Sequence, residues 1–564
     1  MKNQLSTKSL FVLIFTTVII IYLIIFLKLP DNSFWIRDCG NKFLILNKIT
    51  YDGLKDISFN YPGKKADPES KYFPIKEPFA RVLENDRYVS QYQVFFSLLS
   101  YPLYKAAGFK GIFIIPLISA IIFGIFILFN IGKWVNKNFF ILYMLTVFLG
   151  TPLLFYSFVF WEHSLAVLLV TAGLILLFKS RVAAISGLFL MVSAMMFREE
   201  VFFLIISVIL CGYYFKFNKH TSYRTILSST VLFLISFFIL NLAFDYENNV
   251  FFHIKGNYLL DDTLTSWIKF RWEVFHNLYL ANNINMNVDI IISFLLIFIF
   301  VMGLLFKISE FWIILLAVFV SVYEIFNLST VSDYTFQLLK ANGLFVTFPI
   351  FILMLINLKN TDKAEESNFL RNVVFSYFIL IAFFCPRESA YGIHWSSRLA
   401  LVIIPFVLFY LNSILKMKIF DNKSKMLFVF LIALNIFIQI YSVYLLLEKK
   451  YQTSKLVEYI EKNPDKPIIS NVDWLAEDLA YLYNERLIYY TGKNKRMEGL
   501  NKKSDFEKYM DDIYNLKVNL KSLGYKSVIF IEKYNKAVQS DLIFQSPNKK
   551  FGFFDLQATE IQLS

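Results

Sequence analysis

Residues 10–27 read LFVLIFTTVIIIYLIIFL, a stretch that carries no charged side chain. Lys2 and Lys8 precede it, and Lys28, Leu29 and Pro30 follow it, where a secretory signal would end in a small-residue cleavage site. An α-helix needs about 20 mostly apolar residues to cross a bilayer. The stretch therefore predicts an uncleaved first membrane span with its N-terminus in the cytoplasm.

Further apolar runs repeat this pattern along the chain. They lie at about 111–131, 139–154, 164–178, 182–197, 201–215, 225–244, 288–306, 311–327, 342–358, 372–385, 399–415 and 426–446. Together with the first run they predict about 13 transmembrane helices. The composition of the 564 residues agrees: 57% are hydrophobic, 18% are charged and the mean hydropathy is +0.53. Soluble proteins carry roughly 25% charged residues, so a soluble protein is excluded.

The charge of the short loops predicts the orientation of the spans. Lysine and arginine concentrate in cytoplasmic loops of membrane proteins. If residues 92–109 form an interfacial helix and do not cross the membrane, Lys133, Lys179, Lys216 and Lys416 and their basic neighbours share one side. The opposite short loops then hold only four basic residues, Arg198, Lys340, Arg387 and Arg398. The net charge of +13 therefore reports orientation, and nucleic acid is not expected as a partner.

Three regions lie outside the predicted spans, all on the outer face. They are a first outer loop at 30–91, an outer loop at 245–287 that is expected at the interface, and the C-terminal residues 447–564. In the last region, strand-like runs at 467–472, 486–492 and 526–532 alternate with helical stretches near 473–484 and 505–523. The chain thus divides into a transmembrane domain at 1–446 and a small soluble α/β domain at 447–564 on the extracytoplasmic side.

The scarce charged and polar residues near the membrane fall on the same outer side. Ionisable groups next to hydrocarbon are expensive and are usually explained by a site or a partner. The candidates are Asp38, Glu162, His163, Arg198, Glu199, Glu324, Arg387, His394, Trp395 and Arg398. Each also has a structural explanation: Asp38 as a solvated loop residue, the glutamates and arginines as ion pairs, and the histidines as hydrogen-bonding side chains. No HExxH or comparable spacing indicates a metal site.

The order of these parts resembles the GT-C superfamily of integral-membrane glycosyltransferases, which includes protein O-mannosyltransferases and aminoarabinose transferases of lipid A. The shared features are a first span, a long outer loop with an acidic residue near its start, an interfacial helix, short alternating loops and an outer C-terminal domain. The resemblance implies a GT-C-like fold and transfer of a sugar from a polyprenyl-phosphate donor to a glycan, lipid or protein acceptor outside the plasma (inner) membrane.

The resemblance also implies roles for individual residues. Asp38 corresponds to the acidic residue that acts as catalytic base, and Glu162 to a second acidic position after the third span. Cys39 follows Asp38 where the mannosyltransferases have an Asp-Glu pair, so the substrate is not carried over. Because the planar guanidinium binds phosphate oxygens in pairs, Arg198, Arg387 and Arg398 are the candidates for the donor phosphate. His163, Glu199, Glu324, His394 and Trp395 are expected to line the substrate cavity.

Other functions remain open at this level. No cofactor is assigned, although a divalent metal ion could assist the transfer. An O-antigen ligase or polysaccharide polymerase would place its catalytic loop late in the chain, where CPRESAYGIHWSSR (385–398) lies. A lipid-linked sugar flippase or transporter would need ionisable residues near the middle of spans, and the predicted span interiors are nearly free of charge. A non-catalytic scaffold would leave the one-sided clustering of charge unexplained.

Overall fold

The computed structural model describes the greater part of the chain, and every structural statement below concerns those residues. They are 7–53, 57–75, 79–82, 87–131, 139–215, 223–244, 264–279, 309–329, 343–356, 364–385, 395–416, 422–491, 514–533, 550–553 and 556–563. The chain divides into two compact units. The helical unit comprises Met1–Lys28 and Phe113–Leu445, and the mixed unit comprises Leu29–Ile112 and Leu446–Ser564.

The helical unit is built from apolar helices joined by short connections. Its helices are α1 (Thr7–Lys28), α4 (Ile114–Ile131), α5 (Phe140–Leu149), α6 (Leu153–Tyr156), α7 (His163–Leu177), α8 (Arg181–Ala194), α9 (Val201–Phe215), α10 (Tyr223–Phe244), α11 (Leu264–Tyr279), α12 (Glu310–Ser329), α13 (Leu344–Thr347), α14 (Ala364–Phe384) and α15 (Ile404–Lys416). Two 3₁₀-helices, Pro349–Leu355 and Arg398–Ile403, also belong to it. Helix α16 (Asn422–Glu461) begins in this unit and ends in the mixed unit.

Five helical segments of the described chain are long and apolar enough to cross a membrane: Phe11–Lys28, Val94–Asn130, Glu365–Phe384, Arg398–Leu415 and Asn422–Glu461. Shorter apolar helices accompany them. The protein is therefore a mostly helical, multi-pass membrane protein with a small sheet, as the sequence predicts. The number of 13 spans, their orientation and the interfacial position of residues 92–109 remain predictions, and the run at 288–306 lies outside the described residues.

Two glycines allow α7 and α8 to pack closely against each other. A Cβ atom on Gly173 of α7 would lie 2.6 Å from the carbonyl oxygen of Gly187 in α8, and a Cβ on Gly187 would lie 2.6 Å from the carbonyl oxygen of Gly173. Small residues let helix backbones approach each other in membrane proteins, where dispersion replaces the hydrophobic effect as the driving force. Since α7 begins directly after Glu162, this contact holds that glutamate against the turn that follows α8.

The mixed unit combines the first outer loop with the C-terminal residues. It contains α2 (Arg37–Asp52), α3 (Val94–Ala107), α17 (Leu475–Asp478) and a helix over residues 514–522. It also contains the 3₁₀-helices Pro62–Lys65, Gly108–Phe113 and Ala480–Leu482. The sequence did not predict that residues 29–112 and 446–564 form one compact unit, and the division at residue 446 into membrane and soluble parts stays a prediction.

The sheet of the mixed unit has five strands, β3 (Ile468–Ser470), β4 (Ile488–Tyr490), β5 (Ser527–Lys533), β6 (Lys550–Phe553) and β7 (Leu556–Gln562). Their order in the sheet is β4-β3-β5-β7-β6. Strand β3 pairs in parallel with β4 and β5, and β7 pairs antiparallel with β5 and β6. The three predicted strand-like runs contain β3, β4 and most of β5, whereas β6 and β7 were not anticipated. A separate hairpin joins β1 (Ala80–Val82) to β2 (Tyr88–Ser90).

Helix α2 lies within the first outer loop at 30–91, where the sequence did not predict a helix. Its apolar residues Phe43, Leu46 and Ile49 recur at helical spacing and are buried. The side chains of Ile45 and Ile49 pack on Val94 of α3, and the Ser97 hydroxyl donates a hydrogen bond to the Lys42 carbonyl at 2.8 Å. The helix ends at Gly53, whose positive φ of 69° suits a glycine at that position. Asp38 therefore lies in the first turn of a buried helix.

Candidate active site

A buried ion triad occupies the turns before α7 and α9. Arg198 Nη1 lies 3.1 Å from Glu162 Oε1, and Arg198 Nε lies 2.8 Å from Glu200 Oε1. The side chains of Arg198, Glu162 and Glu200 are 14%, 5% and 6% exposed. Burial alone would lower the pKa of the Arg198 guanidinium, but Glu200 and Glu162 outweigh burial and raise it. The triad therefore keeps one positive and two negative charges close together.

The connection between α6 and α7 adds an aromatic wall next to the triad. Tyr156 stacks on Trp161 at 5.5 Å between ring centroids and on His163 at 4.7 Å, and Trp161 lies 4.9 Å from His163. All three side chains are 1% exposed or less. Since Trp161 and His163 flank Glu162 in sequence, the ring cluster fixes the backbone from which that carboxylate extends.

Trp395, which belongs to the late segment 385–398, contacts this aromatic wall. The Tyr156 hydroxyl donates to the Trp395 carbonyl at 2.7 Å, and Trp395 Nε1 donates to Gln439 Oε1 at 3.0 Å. Trp395 is fully buried. These contacts tie the residues before the 3₁₀-helix Arg398–Ile403 to α6 and to α16 within the helical unit.

Arg398 begins that 3₁₀-helix and faces the aromatic wall. Its guanidinium carbon lies 6.0 Å from the ring centroid of Trp161, at the distance of a cation–π contact. Ser396, two residues earlier, has a φ of 61°, which is strained for a residue with a side chain. Such strain often accompanies functional segments, because the surrounding structure must hold it in place. Arg398 is half-buried, whereas Ser396 and Ser397 are buried.

Arg271 is a further charged residue near this site, and it was not among the ten candidates from the sequence. It lies on α11, and its Nη1 donates to the carbonyl of Cys385, the residue at the start of the same late segment, at 2.8 Å. Its guanidinium also lies 4.5 Å from the ring centroid of Phe270. The signal in the sequence was an arginine between aromatic residues, FRW, in the loop expected at the interface.

The structure thus brings together five of the ten candidates from the sequence: Glu162, His163, Arg198, Trp395 and Arg398. Glu199 lies in the same turn, but Glu200 makes the ion pair with Arg198. Glu324 belongs to α12, and its side chain is outside the described set. Arg387 and His394 lie outside the described residues. In the parts of the chain that are described, no group of three or more His, Cys, Asp or Glu side chains is placed to hold a metal ion.

Asp38, the remaining candidate, belongs to the mixed unit and is described there. It lies in the first turn of α2, where a carboxylate is favoured by the helix dipole, and is 8% exposed. Its neighbour Cys39 is 1% exposed, and burial raises the pKa of that thiol to about 12. Asp38 is therefore held in a buried setting, unlike the solvated loop residue of the structural explanation.

The chain is similar to ArnT from Cupriavidus metallidurans. The crystal structure of that protein in the apo state has 11% sequence identity, covers 98% of both chains and gives a TM-score of 0.42. Its crystal structure bound to undecaprenyl phosphate has 9% identity, covers 97% of both chains and gives a TM-score of 0.41. ArnT is an aminoarabinose transferase, the type of enzyme that the sequence resembles. No family model and no curated protein matches the sequence.

Proposed function

We propose that the protein is a glycosyltransferase of the plasma membrane that moves a sugar from a polyprenyl-phosphate donor to an acceptor on the outer face. The observation that carries the proposal is the buried triad Glu162–Arg198–Glu200 beside Arg398 and its aromatic wall, among otherwise apolar helices. A group of charges beside hydrocarbon is costly, and a charged ligand would account for keeping it.

Arg398 is the first candidate for the phosphate of the lipid donor. The Arg398 guanidinium is half-buried on the face of Trp161, the residue next to Glu162 in sequence. Arginine binds phosphate oxygens in pairs, and low polarity around it strengthens each bond. Arg198 then acts by fixing Glu162, and Arg387 stays a second candidate for phosphate.

Asp38 is the proposed general base. In the transfer, the acceptor hydroxyl oxygen forms the new bond to the anomeric carbon while the bond from that carbon to the phosphate oxygen breaks. The hydroxyl proton passes to the Asp38 carboxylate, and the polyprenyl phosphate leaves with the bonding electrons. A carboxylate within hydrogen-bond reach of the hydroxyl supplies this step, and direct displacement inverts the anomeric centre. The scheme needs no metal ion, and a divalent ion remains an addition to test.

The direct test is transfer by the purified full chain in liposomes. Synthetic polyprenyl monophosphate sugars would be offered as a panel with a cell-envelope extract as acceptor, and released polyprenyl phosphate would be measured by mass spectrometry. We expect release with at least one donor, loss of it in Asp38→Asn and a weaker apparent donor affinity in Arg398→Ala. The control Arg224→Ala changes an exposed arginine of α10 and should behave like wild type. Full release by Asp38→Asn would overturn the assignment of the base.

A binding measurement separates the phosphate site from catalysis. Farnesyl phosphate and farnesol differ only in the phosphate group, so stabilisation by the first and not by the second reports phosphate recognition. Arg398→Ala should lose the difference, while Arg224→Ala keeps it. Equal stabilisation by both lipids in wild type would contradict a phosphate site.

The ligase or polymerase alternative has one observation in its favour, the packing of Trp395 and Arg398 into the candidate site. Such an enzyme would release a polyprenyl diphosphate from its donor. Adding polyprenyl diphosphate sugars to the donor panel lets the same assay decide between the two enzymes, because the mass of the released lipid shows which donor was used.

A further inference from the structure

The first turn of α2 is held by a short segment of the C-terminal region. This segment, residues 473–478, comprises Asp473, Trp474 and α17 (Leu475–Asp478), and we refer to it as the clasp. Within the mixed unit it contacts α2 directly at two points and is linked at a third point, through Lys449, to the backbone just before α2. All three points lie within three residues of Asp38.

The first point is a backbone contact at Gly40. A Cβ atom built on this glycine would lie 1.7 Å from the carbonyl oxygen of Glu477 and 2.5 Å from its carbonyl carbon. The obstacle is backbone, which cannot rotate away as the end of a flexible side chain could. Position 40, two residues after Asp38, therefore accepts only glycine while α2 and the clasp keep this distance.

The second point is the side chain of Arg37, directly before Asp38. Arg37 Nη2 lies 3.2 Å from Asp473 Oδ2, and Arg37 Nε lies 3.6 Å from Glu477 Oε1. Glu477 is fully buried, and burial raises the pKa of its carboxyl to about 8 against the opposing effect of Arg37. A buried carboxyl of this kind is expensive unless it is paired, so the pair with Arg37 restrains both segments.

The third point is Lys449, in the part of α16 that belongs to the mixed unit. Its Nζ donates to the carbonyl of Trp35 and lies 2.8 Å from Asp478 Oδ2. Lys449 and Asp478 are 7% and 2% exposed. The amine thus links the last residue of the clasp to the backbone three residues before Asp38.

We propose that the clasp is a positioning element of the transferase, with Arg37, Gly40, Lys449 and Glu477 as positioning residues that fix the first turn of α2 and thereby the carboxylate of Asp38. The inference rests on the proposed function for the role of Asp38, but the clasp itself can be tested without activity. It assigns to the C-terminal region a task in catalysis that the fold class alone does not suggest.

Cys39 is a native reporter of the clasp, because it lies next to Asp38 and is 1% exposed. The rate of its labelling by N-ethylmaleimide at pH 7.5 can be followed in the full chain by peptide mass spectrometry, which separates it from Cys211 and Cys385. Arg37→Met removes both contacts of the Arg37 side chain with the clasp, and Gly40→Ala forces the backbones apart. Arg37→Lys keeps the charge, and the control Arg87→Met changes an exposed arginine of the same unit.

We expect faster labelling of Cys39 in Arg37→Met and Gly40→Ala, a rate between theirs and wild type in Arg37→Lys, and the wild-type rate in Arg87→Met. In the transfer assay, kcat should fall by about 100-fold with the KM for the donor unchanged, because a catalytic group misplaced by an ångström loses that much. Arg37→Lys should recover part of kcat.

The two hypotheses fail in different ways. Unchanged labelling in both Arg37→Met and Gly40→Ala would overturn the clasp, whatever the activity. Faster labelling with an unchanged kcat would overturn its positioning role. Activity in Asp38→Asn would overturn the proposed base, and the labelling rates would still decide whether the clasp holds α2.

Discussion

Arg198 and Glu162 are 36 residues apart in sequence, and their side chains meet at 3.1 Å between Nη1 and Oε1 in a buried position. The contact joins the turn before α9 to the turn before α7. Glu200 completes it from the other side of the guanidinium at 2.8 Å. The same arginine therefore fixes the start of two helices and the carboxylate that the sequence singled out.

Removing the cation from the triad should destabilise the protein strongly. Arg198→Met leaves Glu162 and Glu200 buried and close together without a partner, and breaking a buried pair in this way costs about 3–5 kcal/mol. We expect a clear fall in the unfolding temperature in detergent and a lower yield of folded protein. The triple variant Arg198→Met, Glu162→Gln, Glu200→Gln should recover much of the loss, because no uncompensated charge remains.

A matched control for that prediction is Arg181→Met at the exposed start of α8. It removes an arginine of the same unit without breaking a buried pair and should leave the unfolding temperature unchanged. If Arg198→Met is no less stable than Arg181→Met, the triad does not hold the two turns together.

The sequence predicted this region well where the signal was local. The apolar runs that form α7, α8 and α9 are separated by polar turns, so their bounds followed from hydropathy. Glu162 and Arg198 stood out because charge is rare there. Which of Glu199 and Glu200 contacts Arg198 was not predictable, because neighbouring residues at the start of a helix point in different directions and only the fold decides between them.

Helix α2 shows why other parts were missed. Its sequence, RDCGNKFLILNKITYD, has as many polar as apolar positions and lies in a long loop. The helix is buried because α3 (residues 94–107) and the clasp (residues 473–478) pack against it. The clasp lies more than 400 residues further along the chain. Local patterns do not report such pairing. For the same reason Glu477 and Lys449 could not be connected to Asp38 from sequence.

The contact between α7 and α8 should not tolerate one added methyl group. Gly173→Ala places a Cβ 2.6 Å from the Gly187 carbonyl oxygen, so the helices must separate. Overpacking of this kind costs about 1–3 kcal/mol, and we expect a lower unfolding temperature. Val182→Ile adds a methyl group to α8 at a position that is 75% exposed and serves as the control. Equal unfolding temperatures for the two variants would argue against the close approach.

Asp67 should be essential for the folded conformation of the loop 61–72. Its Oδ1 accepts from the Lys71 amide at 2.9 Å, and its Oδ2 accepts from the Tyr72 amide at 2.7 Å and the Tyr61 hydroxyl at 3.0 Å. Asp67→Ala leaves buried donors without acceptors, at about 1–3 kcal/mol for each. This structural role accounts for the burial of the Asp67 side chain.

Hydrogen exchange can check that prediction. The Tyr490 amide donates to the Tyr72 carbonyl at 2.9 Å, so opening of the loop exposes the edge of β4. Asp67→Ala should speed exchange at Tyr72 and Tyr490, and Asp67→Asn should do so less because one acceptor remains. Asp52→Ala, at the exposed end of α2, should change neither. Unaltered exchange at both amides in Asp67→Ala would refute the proposed role.

Lys450 should make the stability of the mixed unit depend on pH. It is fully buried in α16, and burial lowers the pKa of its amine from 10.5 to about 7, with Cys39 and Asp31 opposing burial and Lys449 adding to it. Because the pKa is lower in the folded state, the unfolded chain binds the proton more tightly between these values. The contribution to stability is therefore present above pH 10.5 and is lost as pH falls through 7.

Lys450→Met removes this loss, so its unfolding temperature should exceed that of wild type most at pH 6.5 and less as pH rises to 9, since other groups titrate in both proteins and cancel in the difference. Lys462→Met, an exposed lysine in the same unit, should track wild type throughout. A difference between Lys450→Met and wild type that stays constant with pH would mean that the amine is charged in the folded protein across this range.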